Sequence, residues 1–112
     1  MNFDKLPEFQ KELKRLAKKY KSLPDDLQEF CSVVSAVPLG NSKHFNIITQ
    51  TKVLHIVKSR LFCKYLKGSS LRIIYSYFEH EQRIEFIELY FKGDKENENS
   101  ERIREYLKNH EN

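Results

Sequence analysis

Residues 57–91, VKSRLFCKYLKGSSLRIIYSYFEHEQRIEFIELYF, decide the fold. Val57, Ser59, Leu61, Cys63 and Tyr65 alternate with Lys58, Arg60, Phe62, Lys64 and Leu66, the two-residue period of a strand that begins near Val53. Gly68, Ser69 and Ser70 supply a turn. Leu71 to Phe78 is a second run of β-branched and aromatic residues, and the polar stretch His80, Glu81, Gln82 turns it into a third, Arg83 to Phe91. Three strands joined this tightly form an antiparallel meander. Lys58, Arg60 and Lys64 share one face of the first strand, Lys67 sits at its turn and Arg72 begins the second.

Upstream, Asn2 and Phe3 read as a short extended start. Leu6, Phe9, Leu13, Leu16, Ala17 and Tyr20 then recur at helical spacing, with Pro7 in the first turn. The cations on the other side of this helix read as a solvated face. Ser22 followed by Pro24 and by Asp25 three residues on predicts a capping box for a second helix, with the apolar stripe Leu23, Leu27, Phe30, Cys31, Val34. The short connection makes the two an αα-hairpin. Residues 38–50 read as a long loop or an irregular edge. Downstream, Ile103, Tyr106 and Leu107 mark a C-terminal helix with a thin apolar face.

The expectation is an α+β chain in the order β-α-α-β-β-β-α, an antiparallel twisted sheet packed against the αα-hairpin and the C-terminal helix, in one domain over residues 1–112. A length of 112 residues suits one core and is short for two, and an apolar fraction of 39% is enough to build it despite 32% charged residues. No apolar run approaches a membrane span and the N-terminal segment is amphipathic, so the expected location is the cytoplasm. Cys31 and Cys63 stand far apart and the four histidines are scattered, so no metal-ligand spacing appears and the cysteines read as small buried hydrophobes.

Net charge is only +4, but its distribution is uneven: all sixteen carboxylates lie before Phe30 or after Phe78. The segment between them holds Lys43, Lys52, Lys58, Arg60, Lys64, Lys67 and Arg72. Strand composition explains missing acids, but not seven retained cations. Mutually repelling cations on one small surface fit a polyanion, and Lys92 and Lys95 extend the same region. Tyr65, Tyr75, Tyr77 and Tyr90 are interleaved with these charges; such rings serve either as core or as stacking platforms for single-stranded bases.

In combination and order these segments resemble the RelE/ParE superfamily of toxins from bacterial type II toxin-antitoxin modules. ELKRLAKKY followed by SLPDDL resembles the family's helical hairpin, KSRLFCKYLKGSSLRIIYSYF its strand-turn-strand, and RIEFIELYFKGDKEN its last strand and the basic turn after it. The resemblance implies a toxin that enters the ribosome and cleaves mRNA, an RNA-binding endoribonuclease that inhibits translation. It implies no cofactor and no metal, with ribosome, message and a cognate antitoxin as partners. In such cleavage the ribose 2′-hydroxyl attacks the neighbouring phosphate, which needs a base, cations for the developing charge and an acid for the leaving oxygen. By position Arg72, Lys64, Lys67 and Lys95 take the catalytic cation roles, and Lys58, Arg60, Lys92 and Tyr90 the RNA-binding ones. Where the family often has a Tyr after the final basic turn, this chain has Asn97 to Glu101. Tyr90, Glu96, His55 and His110 remain as candidates for the proton-transfer role. The alternative is a non-enzymatic ParE-like inhibitor of DNA gyrase, or a degenerate member that only binds its antitoxin.

Overall fold

The computed structural model describes residues 1–40, 42–67 and 69–110. The elements are β1 (Asn2–Lys5), α1 (Pro7–Lys19), α2 (Leu23–Ala36), β2 (Phe45–Gln50), β3 (His55–Phe62), β4 (Ser70–Phe78), β5 (Arg83–Phe91) and α3 (Ser100–Asn109), with a 3₁₀ turn at Glu79–Glu81. One sheet runs in the order β1-β5-β4-β3-β2. The meander of β3, β4 and β5 is antiparallel throughout, and β1 adds to it parallel to β5. The α+β arrangement is the expected one. Of the expected turn after β3, Gly68 lies outside the described residues, as does Asn41 of the stretch after α2.

One detail decides between two alternatives of the sequence reading and another departs from it. Residues 45–50 form an antiparallel edge strand on β3, with a register shift between Ile47 and Thr49 that matches the irregular-edge alternative. The alternation is hidden because an edge strand leaves Ile47 and Ile48 half exposed, so neither face of β2 is a clean apolar row. Ser22 precedes α2, but no capping box forms. Its hydroxyl instead donates to Asp26 Oδ2 at 2.6 Å and accepts the amide of Tyr65 at 3.0 Å, tying the start of α2 to the chain leaving β3.

The two faces of the sheet are covered unequally. Phe9, Leu16, Leu23, Phe30 and Val34 of the helical hairpin pack on Val57, Leu61, Leu71, Ile73, Tyr75, Phe86 and Leu89. Each such side chain, fully buried, contributes roughly 1.5–3 kcal/mol of transfer free energy. On the opposite face α3 lays Ile103 and Tyr106 over Ile56, Ile74, Phe78 and Ile87, covering only the end of the sheet near His55. The helix is fastened there by Arg102, whose guanidinium takes Glu12 of α1 in two hydrogen bonds of 3.0 and 2.9 Å and Ile87 O in a third. Among the described residues no helix is long and apolar enough to cross a membrane.

Candidate nucleic-acid interface

The part of the sheet that α3 leaves open is built from two cross-strand rows. In one, Arg60 of β3 stands opposite Arg72 of β4, which stands opposite Tyr90 of β5. In the next, Asn46 of β2 faces Lys58, Lys58 faces Ile74, and Ile74 faces Glu88. A β-bulge places Glu88 and Tyr90 in these rows. Between Ile74 and Tyr75 the register of β5 shifts by one residue, leaving Ile87 extra. Without that shift, strict alternation from Phe86 would send Glu88 and Tyr90 under the helical hairpin.

Besides the groove between α2 and β3, which Asp26 and Glu29 help to line, three depressions meet at Arg60. One of about 200 Å³ is lined by Lys43, His44, Asn46, Lys58, Arg72 and Lys92 with Arg60. A second, of about 280 Å³, runs over Arg72, Ser70, Lys92 and Gly93. A third, of about 340 Å³, continues past Phe62 to Lys64 and Lys67. No carboxylate lines any of the three among the described residues. The result is a continuous basic trough across the sheet and over its end.

The charges in and around it are not equivalent. Arg60, Arg72, Lys92, Lys43 and Lys67 make no ion pair among the described residues. Arg72 is oriented by a 2.8 Å bond from its guanidinium to Ser70 Oγ. Lys58, by contrast, holds Glu98 at 2.8 Å. Burial, the largest single influence on both, disfavours their charges, but the mutual hydrogen bond and attraction outweigh it: the Lys58 ammonium is held above its ordinary range and the Glu98 carboxyl below. Lys95 is paired with the fully buried Glu88, whose other oxygen accepts the amide of Asn99 at 2.9 Å, and its ammonium lies 5.1 Å from the centre of the Tyr90 ring. Lys64 lies beyond the end of β3 and its ammonium turns to Glu29 of α2 at 3.0 Å.

The sequence-derived residues are therefore partly brought together. Arg60, Arg72, Lys58 and Lys92 share one depression, whereas Lys64 and Lys67 occupy the outer end of the trough and Lys95 sits behind its ion pair at the other. The face is basic, yet Glu88 and Glu98 reach it from outside the acid-free segment. Of the interleaved tyrosines only Tyr65 is exposed; Tyr75 and Tyr77 are core, and Tyr90 is buried opposite Arg72 in the sheet. Burial pushes the Tyr90 phenol up, with Lys58 pulling against it, yet the hydroxyl makes no hydrogen bond of ordinary geometry. His55 and His110 lie at the opposite end of the sheet, the first opposite Tyr77 and the second against Phe78 and Tyr106. Glu96 is exposed and unpaired among the described residues. Sequence reading missed Glu98, and also Lys43, His44 and Asn46, whose membership depends on β2 being a strand.

No protein-family model matches the chain, and no curated protein matches it by sequence. Solved structures do. A chain of the archaeal RelE-RelB complex from Pyrococcus horikoshii OT3 superposes with a TM-score of 0.62 at 22% identity, covering 82% of this chain and 94% of that one. A mutant of E. coli toxin RelE in the free state, with two arginines replaced by alanine, superposes with a TM-score of 0.57 at 16% identity, covering 96% of this chain and 95% of that one. The RelE-like fold expected from the order of the segments is thus the fold that this chain adopts.

Proposed function

We propose that the chain is the toxin of a toxin-antitoxin pair, a single-domain cytoplasmic protein that binds RNA in the trough and cleaves ribosome-bound message. The observation that carries this reading is the set Arg60, Arg72 and Lys92: three cations converging on one depression with no carboxylate partner among the described residues. Cross-strand like charges repel, so an Arg60–Arg72 pair costs stability in the free protein and is stabilised when a phosphate lies between them. The trough is open along its length, as a chain of phosphates requires and a single small anion does not.

In this mechanism Arg60 and Arg72 hold the non-bridging oxygens and take the charge that develops as the ribose oxygen attacks. Lys92 and Lys43 bind flanking phosphates, while Lys64 and Lys67 meet RNA at the outer end. Exposed Phe62 and Tyr65 beside that end are surfaces on which bases stack. An antitoxin partner fits the apolar groove of about 300 Å³ between α2 and β3, lined by Phe30, Val33, Phe45 and Phe62 and continuous with the trough at Arg60.

The test is induced expression of the wild-type chain and of Arg72→Ala, with translation rate and the ends of cellular messages measured. Wild type should arrest translation and generate new message ends within coding regions, and folded Arg72→Ala should do neither. Full toxicity of Arg72→Ala overturns the mechanism. The second reading, a toxin without nuclease activity acting on gyrase through protein contacts, draws support from Lys64 and Lys95, two of the four positions matched to catalytic cations, being engaged in ion pairs. DNA breaks with translation intact would favour it.

A further inference from the structure

The acid-free segment contains no carboxylate to accept a proton, but the tertiary fold brings one to it. Glu98 lies on Lys58, which lines the trough, with a side chain only 19% exposed. Its position is fixed from behind. The next residue, Asn99, donates its amide to buried Glu88 and caps α3 by accepting the Arg102 amide at 3.0 Å, and Arg102 is itself locked to Glu12 and Ile87. A carboxylate carried on such a rigid support meets the requirement for a preorganised catalytic group.

Other proton acceptors are less well placed. Both oxygens of Glu88 are occupied, by Lys95 and by the Asn99 amide. Glu96 touches no trough residue through an ion pair, and His55 and His110 are at the far end of the sheet. The Tyr90 hydroxyl is buried. His44 lines the trough and is half-buried, but its ring is held only by a T-shaped contact with Phe62 and has no carboxylate partner among the described residues.

Resting on the endoribonuclease reading, we propose that Glu98 is the proton acceptor of the cleavage step and that Lys58 keeps it in reserve until RNA arrives. Lys58 and Arg60 are two residues apart on β3, roughly 7 Å along the strand, a distance comparable to that between neighbouring phosphates of an extended nucleotide chain. A scissile phosphate on Arg60 and Arg72 therefore brings a neighbouring phosphate to Lys58. That phosphate takes over the ammonium and frees Glu98. The release also makes Glu98 a better base, because Lys58 is the largest of the influences that hold its carboxyl low, ahead of its own backbone amide and Lys95, and a nearby phosphate acts in the opposite sense.

In the step itself a Glu98 carboxylate oxygen takes the 2′-hydroxyl proton, and the 2′-oxygen lone pair forms the bond to phosphorus. The phosphorus–5′-oxygen bond breaks with its electrons on the 5′ oxygen, which takes a proton from water. The hydroxide so formed is neutralised by the proton on Glu98. The products are a 2′,3′-cyclic phosphate and a 5′-hydroxyl.

The experiment is single-turnover cleavage of ribosome-bound message across a pH series by wild type, Glu98→Gln, Glu98→Asp, His44→Gln and Arg72→Ala. Affinity for a single-stranded RNA oligonucleotide and circular dichroism are measured on each variant. Glu98→Gln should slow cleavage by roughly 10²–10⁴-fold, abolish the acid limb of the rate profile, and bind the oligonucleotide at least as tightly as wild type because Lys58 is freed. Glu98→Asp should restore part of the rate. Cleavage by Glu98→Gln within tenfold of wild type with its acid limb intact overturns the proposal, as does transfer of that limb's loss to His44→Gln. The underlying reading fails differently: wild type then cleaves nothing and Arg72→Ala leaves oligonucleotide affinity unchanged, which removes both.

Discussion

Arg60 and Arg72 stand directly opposite each other on neighbouring strands, and neither guanidinium has a carboxylate partner among the described residues. Adjacent strands lie about 4.8 Å apart, so two like-charged side chains leave the sheet side by side, an arrangement that their repulsion disfavours. The pairing is imposed by the meander beneath it. Leu61, Leu71 and Ile73, which flank these arginines along β3 and β4, are buried against the helical hairpin and set the register.

Replacing Arg60 by Ala should leave stability unchanged or raise it by about 0.2–1 kcal/mol, while weakening binding of a single-stranded RNA and lowering the slope of log affinity against log salt by about 0.7. Chemical denaturation and a salt titration of binding measure the two effects. Loss of both stability and binding would mean that Arg60 is structural.

The Lys58–Glu98 pair sets a pH window. Glu98 is held below its ordinary value of 4.5, so its contribution to stability is present above that value and lost as pH falls through the lower folded value. Lys58 is held above its ordinary 10.5, so its contribution is present below that value and lost as pH rises through the higher folded one. Glu98→Gln should therefore show a shallower loss of stability below pH 4.5 than wild type. Urea midpoints across that range give the comparison.

Glu12 carries more than its own ion pair. It binds Arg102 in a side-chain pair that is only 16% and 19% exposed, and Glu12 Oε1 also accepts the Leu89 amide at 3.1 Å. Glu12→Ala leaves a partly buried guanidinium and a strand amide unpartnered, a cost of about 2–4 kcal/mol. Hydrogen exchange should accelerate in α3 before it does in β4.

Asp26 holds the outer end of the trough. Nearly fully buried, it takes the Ser22 hydroxyl and the Lys64 amide on Oδ2. Asp26→Ala should cost about 1–3 kcal/mol and reduce RNA affinity, although Asp26 is itself acidic, by releasing the segment that carries Lys64 and Lys67. A rise in affinity on removing this negative charge would show that the segment needs no such anchor.

Gly40 adopts φ +73°, and a Cβ there would clash with the Phe45 ring. Gly40→Ala should destabilise the chain by more than about 1 kcal/mol and loosen β2, with it the Lys43–His44–Asn46 wall of the trough. Amide exchange at residues 45–50 reads this directly.

The sequence by itself determined the helical hairpin, the three-strand meander and the C-terminal helix, because each rests on a local period: Phe9, Leu13 and Leu16 at helical spacing, Leu71 to Phe78 in β-rich composition. It also determined that Lys58 and Arg60 share a strand face, since alternation within one strand is local. The edge strand β2 was legible only as an irregular edge, since a strand paired on one side and half exposed has no clean pattern. What only the tertiary structure decided is which cations are free. Glu29, Glu88 and Glu98 are 35, 7 and 40 residues from the lysines they pair with, and no spacing rule links them. A single bulge in β5 turned Glu88 and Tyr90 to the trough, and the capped start of α3 carried Glu98 onto Lys58. Charge segregation along the chain located the basic face; pairing across it, which depends on register and on how α3 docks, left Arg60, Arg72 and Lys92 without carboxylate partners among the described residues.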